Sequence, residues 1–411
     1  MDLLLIAIFS LMYLGMALGR VPGLKLDRTG IVLLAVVALL LTQRIESAEM
    51  GQWVDLPTLI LLMGLMVISA QFALAGVYTR ITWRLMITPL SPQLLLGWVI
   101  GVAAVFSAFL ANDITAFAMA PMIAQGVRDR GLDPRPFLIG LACACNTGSA
   151  ATLIGNPQNI LIAQSQGLDF WSFVWVCAPV AWVATLLVWA VVGWTWRDTL
   201  AAAPSTPTLR SLKAPEMASW QAAKGSMALV MLLVLFSTQL EKEISALAIA
   251  GVLLLSRVQS SREMLSAVDW HLLLLFACLF IVTGSMAASG ASEQLLQGVQ
   301  NLSGSVEQLS SLTWILLVSS NSIGNVPAVM LLLDWIPEQS SAVYYAMALL
   351  STLAGNFLLI GSLANIIVAE RAASQGVHLS LADHARCGIP ITLLSLLVAV
   401  LWLLMTTELS W

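Results

Sequence analysis

The chain alternates between long apolar runs and short polar breaks. Runs at 3–19, 29–43, 57–76, 136–165, 171–194, 225–240, 243–256, 268–289, 342–369 and 387–407 predict ten helices that cross a bilayer, whose hydrocarbon core takes about 20 apolar residues to span. Two more apolar stretches, 93–127 and 309–336, carry polar residues at mid-length. Each predicts a re-entrant hairpin that leaves and returns on one side. Runs 136–165 and 342–369 hold Gly, Pro and Asn in their middles and predict helices interrupted by an unwound stretch. The expected fold is therefore an all-α polytopic membrane protein with about ten crossings, two re-entrant hairpins and two broken helices.

The pattern repeats. Residues 53–76 match 267–290, and LIGNPQNILIA at 153–163 matches LIGSLANIIVA at 359–369. Leu153, Ile154, Gly155, Asn159, Ile160 and Ala163 are identical to Leu359, Ile360, Gly361, Asn365, Ile366 and Ala369. This divides the chain into a first repeat at 1–194, a linker at 195–224 rich in Pro, Ser and Ala, and a second repeat at 225–411. Five crossings per repeat would insert the second upside down, the inverted-topology plan of a secondary transporter.

Composition agrees with this class and excludes others. The chain is 59% hydrophobic and 10% charged, against roughly 45–50% and 25% in soluble domains, and its mean hydropathy is +0.91. A soluble enzyme, a secreted disulfide scaffold and a nucleic-acid-binding domain do not have this make-up. No basic region precedes residues 3–19 and no A-x-A site follows them, so they read as a span rather than a cleaved signal. With both termini outside, only Arg44 and Lys242 of the 18 Lys and Arg fall outside. The positive-inside rule favours that orientation, with the 195–224 loop cytoplasmic, in a multi-pass protein of the cytoplasmic membrane. Trp53, Trp83, Trp171, Trp194, Trp196, Trp270 and Trp335 lie at expected span ends, as an interfacial belt does.

Backbone in hydrocarbon must be paired unless it lines a cavity or is buried in protein. Four polar stretches at membrane depth therefore mark the candidate substrate and ion site. The first hairpin tip offers Asn112, Asp113 and Thr115. The first break offers Asn146, Thr147, Ser149, Thr152, Gly155, Asn156 and Asn159. The second tip offers Ser320, Asn321 and Asn325, and the second break Asn356, Gly361, Ser362 and Asn365. Asp113 is the one acid set well inside an apolar stretch, where a carboxylate is costly and points to a proton or cation site; its counterpart in the second hairpin is Val326. The alternative is that Asn112 or Asp113 only caps the following helix. No Lys or Arg lies in the four stretches, so an anion would be held by half-helix N-termini, amides and hydroxyls. A Na⁺ could sit near Asn112, Asp113, Asn146 and Gly155; Na⁺ or H⁺ is the expected coupling ion, and no other cofactor is indicated. Cys143 and Cys145 are two apart and do not share a helix face, so with the other three cysteines they read as packing residues. Asp269 and His271 read as interfacial, and His378 and His384 as members of a cytoplasmic loop.

At these stretches the sequence resembles the ion transporter superfamily, which includes arsenite permeases, D-type Na⁺/H⁺ antiporters, the pink-eyed-dilution type and divalent anion–sodium symporters. LANDITAFAMAP at 110–121 is similar to the hairpin of the arsenite permease branch, TLIGNPQN at 152–159 to the superfamily's break motif, and SNSIGNVP at 320–327 to its second hairpin. The symporter branch has Ser-Asn-Thr tips, whereas these read Ala-Asn-Asp and Ser-Asn-Ser. The resemblance implies a homodimer with a scaffold part and a moving transport part. The function it implies is secondary transport, not catalysis, of a small anionic or metalloid solute of the arsenite or antimonite type. A Na⁺/H⁺ antiporter using Asp113 and a Na⁺-coupled dicarboxylate or citrate symporter are the alternatives. Its partners would be that solute and the lipid bilayer, with no nucleic acid.

Overall fold

A computed structural model describes residues 3–18, 24, 26–202, 214–290, 308–335 and 340–410. Arg20, Lys25, Arg210 and Lys213 from the basic count, and the middle of the 195–224 linker, lie outside the described residues. The regular elements run α1 (Leu3–Leu18), α2 (Arg28–Leu41), α3 (Met50–Trp53), α4 (Leu56–Leu74), α5 (Val77–Ile87), α6 (Pro92–Phe109), α7 (Asn112–Asp129), α8 (Arg135–Ser149), α9 (Pro157–Ser165), α10 (Phe170–Thr195) and α11 (Arg197–Ala201). They continue with α12 (Ser219–Leu235), α13 (Lys242–Leu254), α14 (Ser261–Ser266), α15 (Trp270–Ala288), α16 (Leu309–Ser322), α17 (Asn325–Trp335), α18 (Ser341–Ala354), a 3-10 turn (Leu359–Gly361), α19 (Leu363–Ser374) and α20 (Leu381–Thr406). Among the described residues all regular structure is helical. Five helices, α4, α6, α10, α15 and α20, are long and apolar enough to cross a membrane, and α1, α2, α12, α17 and α18 are shorter apolar helices.

Helix starts follow from side chains that accept the otherwise unpaired first-turn amides, each such cap being worth about 1 kcal/mol. Asp27 accepts from Gly30 N–H at 2.8 Å to start α2, Asp55 from Thr58 at 3.1 Å to start α4, and Asp269 from Leu272 at 2.9 Å to start α15. Both interrupted apolar stretches fold as paired helices, α6–α7 turning at Leu110–Ala111 and α16–α17 turning at Ile323–Gly324. Gly324 takes φ +98°, a left-handed conformation that a side chain would strain. Both long runs break where Gly and Pro interrupt them: α8 stops at Ser149 and α9 begins at Pro157, while α18 stops at Ala354 and α19 begins at Leu363.

Among the described residues, α12–α15 and α16–α20 of the second segment follow the order of α1–α4 and α6–α10 of the first. α10 and α20 are each 26 residues long and carry a proline at the tenth position, Pro179 and Pro390. Contacts then cross between them: α7 packs along α19, and α17 packs on α9. Each hairpin's second helix thus lies against the second half of the other segment's broken helix. Around this centre α6 packs on α8, α10 on α20, α4 on α13 and α2 on α15.

Of the described helices longer than two turns, one escaped the sequence reading. α5 contains Arg80 and Arg84, which lower its apolar content, yet it buries Tyr78, Thr82 and Met86 at i, i+4 and i+8 and packs against α7. Arg130, at the end of α7 and 4% exposed, fastens that region. Its guanidinium donates to the carbonyls of Met86 (3.4 Å), Thr88 (3.0 Å) and Leu90 (2.6 Å).

Candidate functional site

An unwound stretch leaves carbonyls without helical partners, and two asparagines supply them. Asn159 Nδ2 donates to the carbonyls of Ser149 (3.2 Å) and Thr152 (3.0 Å). Asn365 Nδ2 donates to those of Gly355 (2.9 Å) and Leu358 (3.3 Å). These are the same bonds at positions displaced by the 206 residues that separate 153–163 from 359–369. Gly155 and Gly361, also matched, leave no room for a side chain: a Cβ would strike Ser149 O and Ser107 O in the first break, and Gly355 O and Asn321 Oδ1 in the second.

The breaks are joined by contacts that obey the same displacement. Asn156 Nδ2 donates to Thr352 Oγ1 at 3.2 Å, and Ser362 Oγ donates to Asn146 Oδ1 at 2.8 Å. Thr352 Oγ1 donates to Asn159 Oδ1 at 3.4 Å, and Asn146 Nδ2 donates to Asn365 Oδ1 at 3.2 Å. Each contact is the other with the segments exchanged, so the junction has local two-fold character. Asn356 adds two bonds without a counterpart, accepting from Asn146 Nδ2 at 2.8 Å and donating to Cys143 O at 3.3 Å.

The tips join their own breaks. Asn112 N–H donates to Gly155 O at 3.3 Å, and Thr152 Oγ1 donates to Ala108 O. In the second segment Asn321 Nδ2 donates to Ala354 O at 2.9 Å, while its Oδ1 accepts from Leu358 N–H at 3.2 Å. Asn112 Oδ1 and Asn325 Oδ1 are buried without a partner among the described residues, as is Ser320 Oγ five residues before Asn325. Ser107, five before Asn112, is buried beside the Cys145 thiol.

A cavity of about 550 Å³ opens between these pieces. Six helices present their first residues to it: α2 through Arg28 and Thr29, α7 through Asn112 and Asp113, α9 through Pro157 and Gln158, α15 through His271 and Leu272, α17 through Asn325 to Pro327, and α19 through Ser362 and Leu363. Each N-terminus carries first-turn N–H groups and about half a positive charge, offset at α2 and α15 by the capping carboxylates of Asp27 and Asp269, which line the cavity together with Asp113 and Glu370. Arg28 is a residue the sequence reading missed. It lies far from the four polar stretches in sequence, and α2 delivers it to the second tip, where a Cβ on Gly324 would sit 3.4 Å from its guanidinium. Arg28 makes no ion pair among the described residues. No Lys or Arg lies in the four polar stretches themselves, yet Arg28 brings a full positive charge to the cavity they border.

Asp113 lines this cavity and a second one of about 580 Å³, which Asn156, Glu263 and Asp269 also line. The helix cap ahead of α7 is Ala111, with no side-chain cap bond, so Asp113 does not serve as the cap. Its carboxylate has no hydrogen bond or ion pair among the described residues.

The other singled-out residues divide by role. Asn146, Asn159, Asn356 and Asn365 are spent on the junction and do not line the main cavity. Ser149 accepts from Asn156 at 3.0 Å, and Thr115 is buried with its hydroxyl on Ala111 O. Thr147 turns away from the site, 2.9 Å from Thr185 Oγ1 of α10. Asp269 and His271 line the cavity as well as standing at a helix start. His384 is not in a loop: it lies in the first turns of α20, fully buried, because the capping box of Ser380 and Asp383 starts that helix earlier than its apolar run suggests. All five cysteines are buried and free.

The sequence profile of the citrate transporter family matches residues 13–344, most of the chain, from within α1 to the first turn of α18. The chain belongs to the citrate transporter family. It is 32% identical to the inner membrane protein YbiR of Escherichia coli (strain K12), over 79% of this chain and 82% of that one. It is 25% identical to the silicon efflux transporter LSI3 of Oryza sativa subsp. japonica, over 91% of both, and 28% identical to the 46 kDa membrane protein of Mycobacterium leprae (strain TN), over 98% of both. The crystal structure of the Alcanivorax borkumensis YdaH transporter shares the fold, with a TM-score of 0.58, 15% identity, and coverage of 98% of this chain and 97% of that one. This family consists of multi-pass membrane transporters and not enzymes, so the chain is a secondary transporter that moves a small solute.

Proposed function

We propose that this transporter carries a small oxygen-rich solute, an oxyanion or hydroxylated oxyacid of the arsenite or antimonite type, bound in the 550 Å³ cavity and coupled to H⁺ or Na⁺ at Asp113. The observation that carries this reading is the convergence of six helix N-termini and Arg28 on one cavity, which offers N–H donors to a solute's oxygens, while the carboxylates of Asp27, Asp113, Asp269 and Glu370 in the same lining favour a hydroxylated, weakly charged solute over a densely charged anion. A volume of this order suits a small-molecule site. Silicon efflux by the rice relative is transport of the same kind of solute. Arg28 favours a second reading, a citrate-type organic anion, since a bidentate guanidinium suits a carboxylate.

Asp113 supplies the coupling because it is a carboxylate with no partner at the edge of the solute cavity. The unpartnered Asn112 Oδ1 beside it, with the Gly155 carbonyl, offers the hard oxygen ligands that Na⁺ takes. The two segments act as inverted repeats of a homodimer in the cytoplasmic membrane, with both termini outside and the 195–224 linker cytoplasmic.

Purified protein in proteoliposomes tests this reading with arsenite, silicic acid and citrate under an imposed pH or Na⁺ gradient. Gradient-driven accumulation of one of the first two supports it, and accumulation of citrate alone establishes the second reading. Na⁺ flux exchanged for H⁺ with no solute would replace both with a plain antiporter.

A further inference from the structure

The second break is gripped by a side chain that the first break lacks. His384 is fully buried, and its Nε2 lies 3.0 Å from the carbonyl oxygen of Asn356, in the unwound stretch after α18. A carbonyl only accepts, so the imidazole carries its proton on Nε2 and donates it there. Nδ1 has no partner among the described residues. One turn along α20, Gly388 makes the approach possible, because a Cβ there would collide with the same carbonyl. A further turn on, Thr392 Oγ1 donates to Leu353 O at 3.5 Å. His384, Gly388 and Thr392 thus form an i, i+4, i+8 stripe that holds the end of α18.

Asn356 is held from its other side as well. Its Nδ2 donates to Cys143 O at 3.3 Å, and its Oδ1 accepts from Asn146 at 2.8 Å. Aligning α10 with α20 on Pro179 and Pro390 places Phe173, Cys177 and Ala181 where His384, Gly388 and Thr392 stand. Aligning the breaks places Ala150 where Asn356 stands. The first break has no polar grip at any of these positions.

We infer that His384 is a positioning residue that locks the second break to α20 and α8. The first break is held by other means, Thr152 on Ala108 O and Gln158 Nε2 on Thr352 Oγ1 at 3.2 Å, so the His384 lock acts on the second break alone. The lock does not depend on which solute is carried.

Hydrogen–deuterium exchange of the full chain in lipid nanodiscs tests the lock without any transport assay. His384→Leu should speed exchange of peptides over 353–362 about tenfold over wild type and leave peptides over 146–156 unchanged. His384→Gln, whose amide N–H₂ reaches the same carbonyl, should keep the wild-type rate. Gly388→Ala, which retains His384 but displaces the carbonyl, should behave as His384→Leu does and serves if the leucine variant does not fold. Unchanged exchange of 353–362 in the leucine and alanine variants would overturn the inference. So would failure of Gln to preserve the wild-type rate, or equal acceleration of both breaks in the variants.

Discussion

Asn159 and Asn365 stand 206 residues apart, yet each donates its side-chain amide to the two carbonyls that its own unwound stretch leaves free. Each also accepts a bond from the opposite segment, Asn159 from Thr352 and Asn365 from Asn146. The breaks are thus held open and joined by one pair of residues used twice.

Asn159→Ala and Asn365→Ala should cost similar amounts of stability. Each leaves buried carbonyls unpaired, a loss of about 1–3 kcal/mol. Because both sites share one network, the double variant should lose less than the sum of the singles. Thermal unfolding of the purified variants in detergent measures this, and strict additivity would mean that the two breaks are independent.

Arg130→Met should loosen the α5–α6 connection without touching the cavity. Three carbonyls lose a charged donor, worth about 1.5–3 kcal/mol for bonds to a charged group. Limited proteolysis near 88–91 should become faster, while solute affinity stays within about twofold. A change in affinity with no change in proteolysis would show that Arg130 acts elsewhere.

Arg28→Gln should raise the apparent KM for the carried anion by tenfold or more with a smaller effect on kcat, a loss of about 1.4 kcal/mol or more in binding. Arg28→Lys should recover part of it, since a lysine keeps the charge but not the planar fork. Initial-rate uptake in proteoliposomes gives both constants. Unchanged KM in Arg28→Gln would leave the helix N-termini as the anion's partners.

Much of this architecture is legible in the sequence because hydrocarbon makes backbone polarity costly. A polar, Gly- and Pro-containing stretch such as 146–159 or 353–365 has few explanations at membrane depth, and the repeat confirms its partner. The internal match of 153–163 with 359–369 also marks the asparagines that hold the breaks, though not that their side chains are consumed in doing so. Arg28 was not legible because its place in the cavity comes from tertiary packing of α2 on α15. α5 was hidden by its arginines, and His384 by a capping box that extends α20 beyond its apolar run. The orientation of Thr147 toward α10 likewise depends on packing, which spacing along one helix does not reveal.

Asp113 is the most direct test of the account. Asp113→Asn keeps the size and removes the titratable charge, and since Ala111 is the cap of α7, the helix start should not suffer. Uptake of the identified solute by the variant should be measured in proteoliposomes with and without an imposed pH or Na⁺ gradient. The account expects a folded protein that still exchanges solute down its own gradient but no longer accumulates it in response to H⁺ or Na⁺. Wild-type gradient dependence in Asp113→Asn would contradict it and place the coupling among the neutral oxygens around Asn112, Gly155 and Asn325.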